Sequence, residues 1–172
     1  MRSMTFFLLL LFAVACTPEQ KASQKNELPT ATEFHPQAMG HANWLMGQTV
    51  YVPIYSSIYM EHEKSLVHLT ATLSIRNTSE KEGITITRVD YYDTNGVLKK
   101  NFINGAFSLG KMATKDFVIS TDNLTGGTGA NFIVEWKSST KVSTPLIESV
   151  MVGAMGTHGF SFTSRGQEVE SH

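Results

Sequence analysis

Residues 66–76 read LVHLTATLSIR, and the strict alternation of apolar and polar side chains from Val67 onward is the strongest indication of the fold class. One side of the segment carries only apolar side chains: Val67, Leu69, Ala71, Leu73 and Ile75. The other side carries only polar ones: His68, Thr70, Thr72, Ser74 and Arg76. A period of two is that of a β-strand with one buried face, because successive side chains of a strand point to opposite sides. The segment therefore predicts a strand in a sheet that covers a core.

Further segments are β-prone and bounded by turn signals: residues 48–54, 84–93, 97–103, 117–119, 131–137, 146–152 and 159–164. Asn95-Gly96 predicts a tight hairpin in which both residues adopt positive φ (type I′). No segment has an apolar period near 3.6 over three turns, which would indicate a helix. About eight short strands separated by turns indicate an all-β protein, an antiparallel immunoglobulin-like β-sandwich. A closed barrel has the same periodicity, so that alternative stays open.

The first sixteen residues have the features of a bacterial lipoprotein signal. Arg2 supplies a positive charge, residues 5–12 form an apolar run, and small residues precede Cys16, the only cysteine. Such an order is typical of a secretory signal peptide, and a cysteine directly after the small residues is where lipid is attached. We therefore predict a signal peptide over residues 1–15 and lipidation of Cys16. The apolar run is too short to span a bilayer, which requires ~20 residues.

The predicted anchor indicates a compartment and a first partner, the membrane. Two or more acyl chains on Cys16 would give stable anchoring. Thr17, rather than Asp, follows the cysteine, so the inner-membrane retention signal is missing. The expected location is the cell envelope, at the outer membrane and facing the periplasm. The predicted organisation continues with a lipidated cysteine and polar tether (16–46, with Trp44, Leu45 and Met46 docking on the domain), a β-sandwich domain (47–169) and a tail (170–172).

Charge and motif content exclude several classes of function. The chain has 14 Lys and Arg against 15 Asp and Glu, a net charge of −1, and no basic run that would indicate nucleic-acid binding. Lipidation would consume the single thiol, which leaves none for a disulfide or for catalysis. There is no Gly-x-Ser-x-Gly elbow and no recognisable pair of catalytic carboxylates. We therefore expect a non-enzymatic binding or interaction module without a cofactor, whose partner is an envelope protein or a small ligand.

The richest glycine segment, residues 126–131 (GGTGAN), is the candidate ligand loop. A phosphate-binding loop would continue into Gly-Lys-Ser/Thr and a helix, whereas Phe132 here begins a β-prone run. The segment is either a tight turn entering a core strand or a loop that faces a ligand. The residues assigned to the second interpretation are Gly126, Gly127, Thr128, Gly129 and Asn131, together with Arg165. A ligand site gains support if this loop, Arg165 and Asp90 converge on one concave patch.

A metal-binding role, as a periplasmic copper or zinc protein, is the alternative function. Glu61-His62-Glu63 with His68 offers carboxylate and imidazole ligands, but neighbouring residues of an extended chain face opposite ways. Met151 and Met155 with His158 offer the soft ligands that suit Cu(I). Core packing is nevertheless the usual role of a methionine in an apolar strand. The candidate metal ligands are His62, His68, Met155 and His158.

Four blocks of the chain resemble the bacterial family called domain of unknown function 3124. They are residues 71–78 (ATLSIRNT), 89–96 (VDYYDTNG), 126–136 (GGTGANFIVEW) and 145–166, which ends in Ser-Arg-Gly. The resemblance covers about residues 47–169 and implies a small envelope protein, commonly a lipoprotein, with no known activity. No site residue is carried over from the family. Gly110 departs from the family pattern, in which a proline is expected at a strand edge.

Overall fold

A computed structural model describes residues 43–172, within which the chain forms twelve β-strands. The strands are β1 (Met46–Pro53), β2 (Ser57–Met60), β3 (His62–His68), β4 (Thr70–Arg76), β5 (Ile84–Tyr92), β6 (Leu98–Asn101), β7 (Phe107–Leu109), β8 (Thr114–Ile119), β9 (Asn131–Ser138), β10 (Leu146–Met155), β11 (His158–Arg165) and β12 (Gln167–Ser171). Every pairing between them is antiparallel. Among residues 43–172 there is no helix of the length and apolarity that crossing a membrane requires.

Two larger sheets enclose one core. The first sheet has the order β12-β1-β9-β5-β6, with β7 also paired to β5, and the second has the order β11-β10-β4-β8. Strands β2 and β3 form a separate two-stranded sheet. The core is built from fully buried side chains of both inner faces, including Trp136, Tyr91 and Phe132 from the first sheet and Leu73, Ile75 and Met151 from the second. The predicted antiparallel β-sandwich is therefore confirmed, and the sheets of the described part are separate rather than one closed barrel.

The segment 66–76 has the predicted faces but is divided between two strands. Leu69, Leu73 and Ile75 are fully buried, as their alternation requires. The strand is interrupted at Leu69, whose N–H donates to the carbonyl of Ser56 (2.9 Å) instead of to a sheet neighbour. This division and three strands missed by the pattern, β2, β7 and β12, account for twelve strands where about eight were expected.

The Asn95-Gly96 hairpin forms between β5 and β6, but the predicted type I′ turn is wrong. Only Gly96 has a positive φ (75°). The N–H of Gly96 donates to the carbonyl of Asp93 (2.9 Å), which makes Thr94 and Asn95 the two central residues of a β-turn. Gly96, with its positive φ, completes a three-residue hairpin loop. The Asp93 carboxylate accepts hydrogen bonds from the N–H groups of Val97 (2.9 Å) and Asn95 (2.8 Å). These bonds, that of Val97 foremost, lower the pKa of Asp93 and select this longer loop.

The C-terminal residues 170–172, expected to be a tail, belong to the fold. Strand β12 continues to Ser171 along the edge of β1, and the N–H of His172 donates to the carbonyl of Gly47 (2.9 Å). The His172 Nε2 atom also lies 2.9 Å from Thr49 Oγ1. These bonds satisfy backbone groups at the edge of β1 that would otherwise have no partner. The composition of residues 170–172 does not predict this pairing.

The N-terminal boundary of the domain also shifts, because Met46 is the first residue of β1 rather than the end of the tether. The N–H of Leu45 donates to the carbonyl of Ser138 (2.8 Å), which extends the pairing by one residue. Met46 packs against the core, as predicted. Leu45 and Trp44 are instead 64% and 37% exposed, so of the three residues only Met46, which is half-buried, packs against the core.

The glycine loop before β9 lies directly against a pair of buried hydroxyl groups. Tyr91 is fully buried, and its Oη lies 2.7 Å from Ser56 Oγ. Burial raises the pKa of the Tyr91 phenol, which therefore stays neutral. A Cβ on Gly126 would lie 1.8 Å from Tyr91 Oη and 2.6 Å from Ser56 Oγ. Only glycine allows the loop to approach so closely.

We predict that Gly126→Ala lowers the free energy of unfolding by about 2–3 kcal/mol, the upper range for overpacking a filled site. Chemical denaturation of the purified protein measures this value. Gly110→Ala is the matched control, because a Cβ there has no atom within 4 Å and the residue has no positive φ. We expect the control to stay within about 0.5 kcal/mol of the parent. Equal losses in the two variants would contradict the assigned contact.

Candidate functional site

The candidate ligand loop 126–131 has its backbone hydrogen-bonding groups occupied by neighbouring turns. The carbonyl of Gly126 accepts from the N–H and Oγ1 of Thr94 (2.9 and 2.8 Å), and the Gly129 N–H donates to the same Oγ1 (2.9 Å). The carbonyl of Gly127 accepts from the N–H of Ser56 (3.1 Å). These contacts favour the first interpretation of the loop, a tight turn entering the core strand β9.

The remaining members of the predicted ligand site do not complete it. Thr128 is half-buried in the loop, and Asn131 begins β9 opposite Pro53 and Tyr92. Arg165 ends β11 opposite Glu148 and lines a cleft of about 270 Å³ that contains no residue of the loop. The convergence of the loop, Arg165 and Asp90 on one patch, which would have supported a ligand site at the loop, is therefore not observed.

The cleft at Arg165 lies where the two larger sheets meet at one edge of the sandwich. We name it the seam cleft, and it is lined by Gln48, Val50, Thr144, Pro145, Leu146, Ile147, Arg165, Gly166 and Glu168. Its formation depends on Gly166, whose N–H donates to the carbonyl of Ile147 (2.9 Å) before the chain joins the first sheet as β12. A Cβ on Gly166 would lie 2.7 Å from a methyl group of Val50, so glycine is required for this close crossing.

The acidic group of the seam cleft is held by a short series of hydrogen bonds. The buried indole N–H of Trp136 donates to Gln48 Oε1 (3.2 Å), and Gln48 Nε2 donates to the carboxylate of Glu168. Ser171 Oγ donates to the other oxygen of the same carboxylate. Each carboxylate oxygen thus accepts one protein hydrogen bond, and no cation within residues 43–172 pairs with it.

The basic group of the cleft has no protein partner in the part of the chain described. The nearest acid along the pairing register is Glu148, whose carboxylate lies 3.8 Å from Arg76 Nε instead. The cleft also has an apolar part: Val50 and Ile147, which are 5% and 4% exposed, line it together with Pro145 and Leu146. The seam cleft therefore combines an unpaired guanidinium, a carboxylate without a cation and an apolar floor.

A second polar cluster lies around Asp90 on the outer face of the first sheet, but its members satisfy each other. Arg88 Nε donates to Asp90 Oδ2 (2.6 Å) and Arg88 Nη2 donates to Tyr92 Oη (2.6 Å). Asn101 Nδ2 donates to Asp90 Oδ1 (3.0 Å). The hydrogen bond to Asp90 raises the pKa of Arg88. Because these groups are occupied, the cluster stabilises the β5–β6 hairpin and leaves little for a ligand.

The candidate metal ligands are distributed over two hairpins. His62 and His68 lie six residues apart on β3, about 20 Å at ~3.3 Å per residue. His68 Nδ1 is 2.9 Å from Ser57 Oγ, and His62 accepts from a backbone N–H. Met155 and His158 face each other at the end of the β10–β11 hairpin, whereas Met151 is fully buried in the core. Over residues 43–172, no three His, Cys, Asp or Glu side chains lie close enough to hold a metal.

The lipidation site predicted at Cys16, the signal peptide 1–15 and the tether up to residue 42 lie outside the described residues. The structure therefore bears on the globular part alone.

Comparisons with known proteins give a family. The crystal structure of Thermotoga maritima 1070 is similar to this chain with a TM-score of 0.40 and 11% sequence identity, covering 70% of this chain and 92% of that one. A comparison with curated proteins found none that matches. The family described as "Protein of unknown function (DUF3124)" matches residues 47–169. These residues are nearly all of the sandwich, and the chain therefore belongs to this family, as its four sequence blocks indicated.

Proposed function

We propose that the protein is a lipid-anchored component of the bacterial cell envelope that binds a ligand without transforming it. The anchor is supported by Cys16, which follows an apolar run and three small residues as a lipoprotein signal requires. The binding role is supported by the seam cleft. Concave sites with an apolar lining and a few convergent polar groups are the usual form of a small-molecule site.

The unpaired guanidinium of Arg165 in the seam cleft is the observation that carries the binding role. The other two arginines of residues 43–172 have carboxylate partners, Arg76 with Glu148 at 3.8 Å and Arg88 with Asp90 at 2.6 Å. An arginine presents a planar fork of N–H donors that suits a carboxylate or phosphate. The guanidinium would orient the anionic group of a ligand, and the apolar side chains of the cleft would bury part of the ligand's surface.

The side chains that line the seam cleft also favour binding over catalysis. They include no cysteine, histidine or serine, which are among the commonest nucleophiles and proton-transfer groups of enzymes.

The metal-binding alternative receives less support from the same residues. A zinc or copper site needs three or four convergent ligands. His62, His68, Met155 and His158 contribute at most two to any one place, the tip of the β10–β11 hairpin.

Cys16→Ser is expected to abolish lipidation, because the thiol is the acceptor of the lipid and the signal for the lipoprotein peptidase. Cells that express each form are labelled with palmitate and fractionated. The parent should carry label and sediment with membranes, while the variant should remain an unlabelled precursor. Thr17→Ser, which keeps the cysteine, is the matched control and should behave as the parent. A parent protein without label, or found wholly in the soluble fraction, would refute the anchor.

A ligand of the seam cleft is expected to raise the melting temperature of the full-length protein. We propose a thermal-shift screen of charged metabolites, since a ligand at 100 times its Kd stabilises by about 2.7 kcal/mol. Arg165→Gln should remove the shift of any true ligand. Lys111→Gln, which removes an exposed positive charge outside the cleft, should retain it. The proposal fails if no compound shifts the parent, or if a hydrolase substrate panel reveals turnover that one side-chain change abolishes.

A further inference from the structure

The two charges of the seam cleft have opposite signs, and we infer that the cleft binds a small zwitterion of the amino-acid or dipeptide class. Its carboxylate would lie on the guanidinium of Arg165, and its ammonium group on the carboxylate of Glu168. The inference rests on the proposed binding function and specifies the ligand of the same site.

Opposite charges that line one cleft normally pair with each other, and these do not. Arg165 and Glu168 are three residues apart in sequence, yet no ion pair joins them among the contacts of residues 43–172. The crossing at Gly166 explains the separation, because it leaves Arg165 on the second sheet and Glu168 on the first. Gln48 and Ser171 then hold the carboxylate on its own side. The two charged groups therefore remain unpaired on different sheets, and both line a cleft that is open to a ligand.

The hydrogen-bonding capacity left on each side matches the two ends of an amino acid. The Arg165 guanidinium can donate two parallel hydrogen bonds to one carboxylate. Each oxygen of Glu168 already accepts one hydrogen bond and retains a lone pair for an ammonium N–H. A simple anion would gain Arg165 but meet the charge of Glu168, and a simple cation would meet that of Arg165. A molecule with both a carboxylate and an ammonium group can pair with Arg165 and with Glu168.

The size and lining of the cleft limit the rest of the ligand. Its volume of about 270 Å³ is slightly below the ~300 Å³ at which sites for drug-sized molecules begin. The floor of Val50, Pro145, Leu146 and Ile147 is suited to an aliphatic side chain. Leucine and the dipeptide dialanine are therefore suitable probes for a free amino acid and for the ends of a short peptide.

Calorimetric titration of the full-length protein in detergent tests the charge requirement. Leucine or dialanine should bind, and whichever binds more tightly identifies the source as a free amino acid or a peptide. N-acetyl-leucine lacks the ammonium group and leucinamide lacks the carboxylate, so each should bind at least about tenfold more weakly than leucine, as expected for the loss of a charge-assisted hydrogen bond.

Variants connect each end of the ligand with one residue. Arg165→Gln should weaken leucine about tenfold or more and strengthen leucinamide, because that probe has no carboxylate to lose and no longer meets a like charge. Glu168→Gln should weaken leucine similarly and strengthen N-acetyl-leucine for the corresponding reason. Lys111→Gln and Glu170→Gln are the matched controls, since they make the same charge changes at exposed residues outside the cleft.

Three results would overturn the inference in distinguishable ways. Equal binding of leucine and N-acetyl-leucine would mean that the cleft recognises anions alone and that Glu168 has only a structural role. A different metabolite that depends on Arg165, with no binding of leucine or dialanine, would refute the zwitterion and leave the binding function standing. If no compound binds through Arg165 at all, both the zwitterion and the binding function fail.

Discussion

The sandwich and the seam cleft both require that the chain leave one sheet and join the other within a single residue, Gly166. Its N–H is still bonded to Ile147 of the second sheet, while the next residue, Gln167, already pairs with Tyr51 of the first. The N–H of Gly166, a half-buried residue, thus keeps a hydrogen-bond partner at the crossing. A Cβ at position 166 would clash with Val50 and with the carbonyl oxygen of Ile147, so the crossing requires glycine. The separation of Arg165 from Glu168 is a direct result.

A requirement of the core also fixes the position of the acid in the cleft. Trp136 is fully buried, and a buried indole N–H must find an acceptor. Gln48 provides it from the opposite position on β1, and its amide nitrogen is thereby turned toward Glu168. The orientation of an exposed carboxylate thus follows from the packing of the largest core side chain. A change at Gln48 would affect both the core and the cleft.

The sequence predicts well what depends on local periodicity and poorly what depends on distant backbone partners. The buried face of residues 66–76 follows from a period of two, and the structure agrees at each apolar position from Leu69 to Ile75. Strand β12 has the composition QEVES and is exposed throughout, so no pattern predicts it. It forms because β1 offers an unpaired edge 120 residues earlier in the chain, as the Gln48–Glu168 pair illustrates.

The same division applies to the candidate site. The Ser-Arg-Gly segment singles out Arg165, but nothing in its spacing reveals that the strand changes sheets before Glu168. The glycines at 126–129 are equally compatible with a turn and with a ligand loop until the contact of Gly126 with Tyr91 is seen.

The distribution of paired and unpaired charge explains why the cleft should select its ligand rather than merely attract it. Elsewhere in the described domain, Arg88–Asp90, Lys99–Asp93 and Lys137–Glu135 neutralise each other at 2.6–3.1 Å. Two unit charges at 4 Å attract by about 4 kcal/mol at an effective dielectric constant of 20, and removing both from water costs much of that gain. The net affinity from either end of a ligand is therefore modest. A molecule that carries one charge gains one contact and suffers one repulsion, whereas a zwitterion gains both contacts. Discrimination therefore depends on the crossing at Gly166, which places Arg165 and Glu168 on different sheets.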